Sequence, residues 1–277
     1  MENIAVITTV FNRKNVTING LNSLYSAINR LGLDYHFDVY LTDDGSTDGT
    51  ADAVSELFPH VHILCGDGNL YWSGGMRKAW RAAIDSGVNY DFFLWFNDDA
   101  ELYEDSLETM FESFYHYGEK SIISGAFVDR SGNVSYGGRD KNMNWIVPGY
   151  EKQIFFMNGN FVLIPKYVFE TLGNIGKIYT HSLGDWDYGL KAGNYGFKVL
   201  VSRKYVGITN RHDTTPVYWS NSYSLKNRLH SLYAFPSSPL IVFHFYKQYF
   251  GLLKGVIKLI IIHLFAIFPQ LYELRHR

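Results

Sequence analysis

Cysteine occurs once in the 277 residues, at Cys65, so no intramolecular disulfide can staple the fold. That thiol lies in a strand-like run and is expected to be a buried, small apolar side chain. Neither sign of charge dominates: 25 Lys and Arg stand against 27 Asp and Glu, for a formal charge of −2. Without a basic excess there is no electrostatic footprint for nucleic acid. Glycine is missing where phosphate loops need it. TTVFNRKN, after the first predicted strand, contains none, which excludes the phosphate loop of a nucleotide-sugar pyrophosphorylase. No G-x-G-x-x-G follows a strand either, which excludes a dinucleotide dehydrogenase. Met1-Glu2-Asn3 is not basic and the apolar run from Ile4 is short and broken by threonines. No signal peptide is expected, and the catalytic portion is read as cytoplasmic.

What the chain does have is aromatic residues (17%), ample for a sizeable core, and a regular alternation of apolar periods. Ile4 to Val10 is β-branched and reads as a buried strand. Ile18, Leu21, Tyr25 and Ile28 then fall at helical spacing. Val39 to Thr42 ends a second strand, closed by DDGSTDGT, with Ser46 or Thr47 expected to cap the next helix. Val61 to Cys65 is a third strand. GDGNLYWSGGMRKAW leads into a helix with Met76, Ala79, Trp80 and Ala83 on one side. The fourth strand, Tyr90 to Phe96, is apolar on both faces and stops at Asn97-Asp98-Asp99. This order predicts an α/β fold of parallel βαβ units with right-handed crossovers. Strands at 122–128 and 161–165 and a helix from about Trp186 follow.

Acids gather where strands end: Asp43-Asp44, Asp98-Asp99, and Asp185 with Asp187. Parallel strands project their carboxyl ends to one edge, where open α/β sheets hold ligands. Adjacent carboxylates repel unless a cation lies between them. Hard oxygens on a short turn suit Mg²⁺ or Mn²⁺, with water and substrate phosphate completing the shell.

These stretches carry a resemblance to glycosyltransferase family 2, nucleotide-sugar transferases of the GT-A fold, over about Ile4 to His212. The matching pieces are TTVFNR, DDGSTDGT, GDGNLYWSGGMRKAW, FNDDAEL in the place of the Asp-x-Asp motif, NGNFVLIPKYVFETLG, and GDWDYGLKAGNYGFKV in the place of the Glu-Asp motif. The flavour is that of bacterial surface-polysaccharide transferases moving rhamnosyl or galactofuranosyl groups. The resemblance implies a GT-A domain, residues 1–215, with a mostly parallel central sheet flanked by helices. It implies a UDP- or dTDP-sugar donor bound by Thr8, Thr9, Phe11, Arg13, Asp44, Gly74, Gly75, Arg77, Asn97 and Asp98. Asp44 would accept the N3–H of a uracil or thymine ring. Asp99 and His212 would hold Mn²⁺ or Mg²⁺, and Asp185 would be the catalytic base. Trp186, Asp187 and His181 would meet a glycan or lipid-linked glycan acceptor, and Lys226, Asn227 and Arg228 the diphosphate. Two positions depart from the pattern: Asn97 replaces the first acid of Asp-x-Asp, and Gly184 the Glu of Glu-Asp.

A single base with no carboxylate nucleophile implies one displacement with inversion. The rival of another class is a sugar- or lipid-binding scaffold on the same fold, whose signature would be lost acids. Residues 216–277 read as a C-terminal helical, membrane-associating region: from Pro239 to Pro269 the chain is apolar and aromatic, with Lys247, Lys254 and Lys258 recurring at spacings of seven and four. The charge-free stretch Leu259 to Phe268, ten residues, is about half a membrane span. One amphipathic helix lying on the inner face of the cell membrane is expected. A packed helix or a homodimer seam is the alternative.

Overall fold

The computed structural model describes residues 1–118, 120–211, 215–234, 236 and 238–275. The chain forms two compact units, residues 1–177 with 184–211, and residues 178–183 with 212–277. In the first unit the order is β1 (Glu2–Val10), α1 (Lys14–Leu31), β2 (Tyr35–Asp43), α2 (Thr50–Leu57), β3 (His62–Cys65), α3 (Tyr71–Asp85), β4 (Phe92–Phe96), β5 (Glu101–Leu102), α4 (Ser106–Tyr117) and β6 (Ser121–Val128). There follow β7 (Val134–Tyr136), β8 (Gly138–Arg139), β9 (Phe156–Met157), β10 (Phe161–Pro165), α5 (Lys166–Leu172), α6 (Gly184–Asn194) and β11 (Lys198–Ile208).

The main sheet runs β3-β2-β1-β4-β10-β6-β11-β5, with β7 beside β6. Strands β3, β2, β1 and β4 are parallel, as the alternating pattern predicts. β10 then enters antiparallel between β4 and β6, while β11 is again parallel to β6. The result is a curled, mostly parallel sheet flanked by helices, the GT-A arrangement.

Strand period two divides the core between the faces. Ile4, Val6, Val10, Phe92, Leu94 and Phe96 pack with Leu21 and Leu24 of α1 and Met110 and Phe114 of α4. Ala5, Ile7, Phe93 and Trp95 pack with Met76 and Trp80 of α3 and Tyr188 of α6. Trp95 meets Trp80 edge-on, with centroids 5.6 Å apart, a favoured geometry for two aromatic quadrupoles.

Several local expectations are corrected. Cys65 is exposed, because β3 is the edge of the sheet rather than an interior strand. Neither Ser46 nor Thr47 caps α2. Its N-cap is Gly49 at φ 79°, and the Asp48 carboxylate accepts the Thr50 N–H at 3.1 Å instead. Ser46 and Thr47 turn to Asn12: Ser46 Oγ accepts the Asn12 N–H, and Asn12 Oδ1 accepts the Thr47 N–H. α6 begins at Gly184, ahead of the expected start near Trp186.

The second unit contains a 3₁₀ turn (Val217–Trp219), α7 (Leu225–Tyr233), α8 (Pro239–Phe250), α9 (Leu252–Ile267) and α10 (Pro269–Arg275). The single helix expected over 239–269 is in fact broken at Gly251, whose φ of 88° only glycine adopts easily. Lys247 therefore lies on α8, apart from Lys254 and Lys258 on α9. Among the described residues, no helix is long and apolar enough to cross a membrane.

Candidate active site

The register brings the strand ends together. Val10 pairs with Asp43 and Ile7 with Trp95, so β1, β2 and β4 release their following loops at one edge. Because β10 is antiparallel, the loop before it starts at the same edge, and the Asn97 N–H donates to the Asn160 carbonyl at 2.8 Å.

The second strand ends in two carboxylates with different duties. Asp43 Oδ1 accepts the Ser46 N–H. Asp44 is buried and holds the next loop: Oδ1 accepts the Gly68 N–H at 3.0 Å and Oδ2 the Tyr71 N–H at 2.8 Å. Tyr71 has φ 52°, uncommon for a residue with a Cβ. The Asp44 bond pins it there as α3 begins, which turns the following Trp72 toward the fourth-strand loop. Trp72 Nε1 donates to Asn97 Oδ1 at 2.7 Å. A Cβ on Gly159 would come within 2.6 Å of the same indole and 3.3 Å of Asp185 Cβ. The Gly159 N–H in turn donates to Asp185 Oδ2 at 3.1 Å. Tyr71 and Trp72 thus join all three acid clusters. Trp72 was missed by sequence reasoning although it lies inside GDGNLYWSGGMRKAW, because what marks it is a partner 25 positions away.

Asp185 sits in the first turn of α6, where the helix dipole favours an anion. Its own helix supplies a second donor, since the Trp186 N–H reaches Oδ1 at 2.9 Å. Burial still outweighs these donors and pushes the carboxyl up to about 6. Trp186 packs on Phe156 with the rings tilted at 46° and centroids 4.4 Å apart, and Asp187 is buried. At Gly184, a Cβ would lie 2.6 Å from Ser73 Oγ, so the space of the family's Glu is filled by Ser73.

After β4 the acids are tied to α1. Asp98 is 1% exposed; its Oδ1 is bound by Arg13 Nη2 and its Oδ2 accepts from Thr17 Oγ1 at 2.7 Å. Arg13 Nη1 reaches Asp99 Oδ2 at 3.2 Å, so one guanidinium spans both carboxylates. α1 can come this near because residue 20 is glycine: a Cβ there would be 2.2 Å from the Asp98 carbonyl oxygen. Both oxygens of Asp98 are engaged by Arg13 and Thr17, so the side-chain donor for a divalent cation would be Asp99, which itself shares Arg13 through Oδ2. Magnesium-type ions are commonly held by one or two carboxylates plus substrate phosphates. One carboxylate fits that mode and not an all-protein cage, and the described residues contain no cluster of three metal-ligating side chains. His212 lies outside the described residues.

The other expected residues are placed as follows. Thr8 and Thr9 point to opposite faces of β1; Thr8 is fully buried, and Thr9 Oγ1 donates to the Thr42 carbonyl. Phe11 is exposed beyond the strand end. Gly75 passes close to Thr9 itself, where a Cβ would fall 2.0 Å from Oγ1. A Cβ on Gly74 would meet Leu70 Cβ at 3.2 Å. Arg77 Nη1 donates to the Gly176 carbonyl at 3.0 Å, and burial lowers its pKa. In the second unit, Asn227 donates its N–H to the Ser224 N-cap, and Lys226 is exposed on α7. Arg228 is buried and gives its guanidinium to the Ala266 and Ile267 carbonyls, 2.7 and 3.3 Å away, and to the Tyr223 carbonyl. These bonds close the carbonyl end of α9. His181 belongs to the 178–183 segment of that unit.

A curled, mostly parallel sheet with buried carboxylates and an acidic loop gathered at one edge is the GT-A arrangement of glycosyltransferases. The profile of glycosyl transferase family 2 matches residues 5–188, and the chain belongs to that family. Among solved structures it is similar to the mannosyltransferase PcManGT from Pyrobaculum calidifontis in complex with GDP-Man and Mn²⁺. There the identity is 14%, covering 92% of this chain and 73% of that one, with a TM-score of 0.59. It is also similar to TarS 1-349 of S. aureus in complex with UDP-GlcNAc, with 11% identity, 89% and 67% coverage and a TM-score of 0.53. TarS 1-349 without that ligand gives 14% identity, 99% and 91% coverage and a TM-score of 0.56. No curated protein matches the chain by sequence.

Proposed function

We propose that the protein is an inverting glycosyltransferase that moves a sugar from a UDP- or dTDP-sugar onto a hydroxyl of a glycan or lipid-linked glycan. The observation that carries this reading is Asp185, held by the Gly159 and Trp186 N–H groups and raised to about 6. A carboxylate of that strength is mostly ionised at neutral pH and basic enough to take the acceptor proton as the oxygen attacks the anomeric carbon. Trp72 and Gly159 keep it in register with the Asn97-Asp98-Asp99 loop, the side on which the diphosphate leaves. Asp99 would hold Mn²⁺ or Mg²⁺, which when bound offsets charge developing on the leaving diphosphate. Arg13, fixed to both carboxylates, adds positive charge on the same side. Asp44 shapes the nucleotide side through the 66–71 loop.

The test is incubation of the purified chain with UDP- and dTDP-sugars, a glycan acceptor and Mn²⁺. Nucleotide diphosphate should be released, and NMR should show a product of opposite anomeric configuration. Retention of configuration removes Asp185 as sole base. Nucleotide-sugar binding without any release supports the scaffold reading instead.

A further inference from the structure

The outward face of α9 is apolar along its whole length. Leu253, Val256, Ile257, Ile260, Leu264 and Ile267 are all exposed, and Leu253 is 74% so. Their spacings of three, one, three, four and three set them on one helical stripe. The opposite stripe, Gly255, Ile262 and Ala266, is buried within the helical unit. Phe268, Leu271 and Leu274 continue the exposed surface onto α10. A patch of this kind on a water-facing surface marks a contact.

Charge identifies what the contact is with. From Pro239 to Tyr272 the sequence has no acid, and its charged groups are Lys247, Lys254 and Lys258; Glu273, the acid on α10, accepts from Asn221 Nδ2 at 2.6 Å. At about 100° per residue, Lys254 and Lys258 fall on one border of the α9 stripe, between its exposed and buried faces. Their ammonium groups lie 5.4 and 4.7 Å from the ring centroids of Phe250 and Tyr246 on α8. A second copy of the chain is a poor occupant. A two-fold contact through this face would set lysine near lysine with no carboxylate on the stretch to pair them. An anionic lipid surface supplies hydrocarbon for the stripe and phosphate for its border.

We propose that α9 lies in the plane of an anionic bilayer surface, with Leu253, Ile257, Ile260 and Leu264 inserted below the headgroups and Lys254 and Lys258 at phosphate level. The break at Gly251 folds α9 back against α8, where Gly255 lies close enough to the Phe243 carbonyl that a Cβ would stand 3.1 Å from it, and leaves the stripe facing outward. The proposal does not depend on the donor or the acceptor.

The test is co-sedimentation of the full chain with phosphatidylcholine vesicles with and without phosphatidylglycerol. The wild type should pellet with the anionic vesicles and be released by salt. Lys254→Glu with Lys258→Glu should weaken that partitioning roughly tenfold or more. Ile257→Ser with Ile260→Ser and Leu264→Ser should abolish it while the thermal melting transition is kept. In a Cys65→Ser background, a polarity-sensitive dye on Ile260→Cys should shift to the blue on anionic vesicles, and a dye on Asn22→Cys should not. Equal pelleting of the wild type and the serine variant would overturn the proposal. So would equal pelleting on neutral and anionic vesicles, or a lipid-free dimer that the serine changes dissociate.

Discussion

The Trp72 indole donates to Asn97 Oδ1 at 2.7 Å, and Asn97 stands where the family pattern has the first acid of Asp-x-Asp. A neutral amide there orients a ring that also abuts Gly159 beside Asp185. Trp72→Phe removes the N–H and keeps most of the ring. We expect kcat to fall about tenfold, the size of a lost positioning bond in catalysis. Binding of nucleotide sugar, followed by calorimetry, should change little.

Asp185→Asn should lower turnover a hundredfold or more, the usual effect of losing a general base. In the wild type, kcat/KM should rise with pH through about 6 and level off above, following ionisation of Asp185. The same shift bears on stability. A carboxyl raised in the folded state binds more protons than its unfolded counterpart between the two values. Stability is therefore lost as pH rises from the unfolded value near 3.8 to about 6. Asp185→Asn should be more stable than wild type at pH 7, by about 1–2 kcal/mol. Urea titrations at pH 4 and 7 check the sign.

Arg13→Ala leaves Asp98 buried beside Thr17 without its cation. Because Arg13 is itself partly solvated, the loss should be about 2–3 kcal/mol, below that for a fully buried pair. Arg13→Ala with Asp98→Asn should recover most of it, since the stranded charge is then gone. A double-mutant cycle by chemical denaturation measures the coupling.

Gly184→Ala tests whether Ser73 has taken the space of the missing Glu. The new methyl meets Ser73 Oγ at 2.6 Å and Ile175 Cγ2 at 3.0 Å. Overpacking of this size should cost about 1–3 kcal/mol. Adding Ser73→Ala should return part of that, read as a rise in melting temperature.

Arg228→Gln removes the fork that closes the end of α9. It should destabilise the helical unit by about 2 kcal/mol, since several bonds from a charged donor are lost. Donor affinity should stay unchanged. Limited proteolysis after residue 215 reads the first effect and calorimetry the second.

The βαβ half of the fold was legible because Ile4–Val10 and Phe92–Phe96 are buried on both faces and their helices carry clean apolar stripes. The direction of β10 was not. FVLIP is apolar at every position, and a strand of that kind fits a parallel or an antiparallel slot equally well. Cys65 misled because an apolar run does not reveal whether its strand ends up inside the sheet or at its rim. The helix break at Gly251 was hidden by a lysine repeat that continues across it. In the site, the carboxylates could be read from their places after strands. What each one touches could not: Arg13 and Asp98 are 85 positions apart, and only the crossing of α1 over the β4 loop joins them.

The antiparallel insertion of β10 also constrains how the protein is made. On the ribosome β4 emerges well before β10 and must wait about seventy residues of synthesis for the neighbour that covers one of its sides. Until then its backbone donors and acceptors face outward beside five large apolar side chains. A fragment ending before residue 161 should collect in inclusion bodies, whereas one reaching past β11 should stay dispersed.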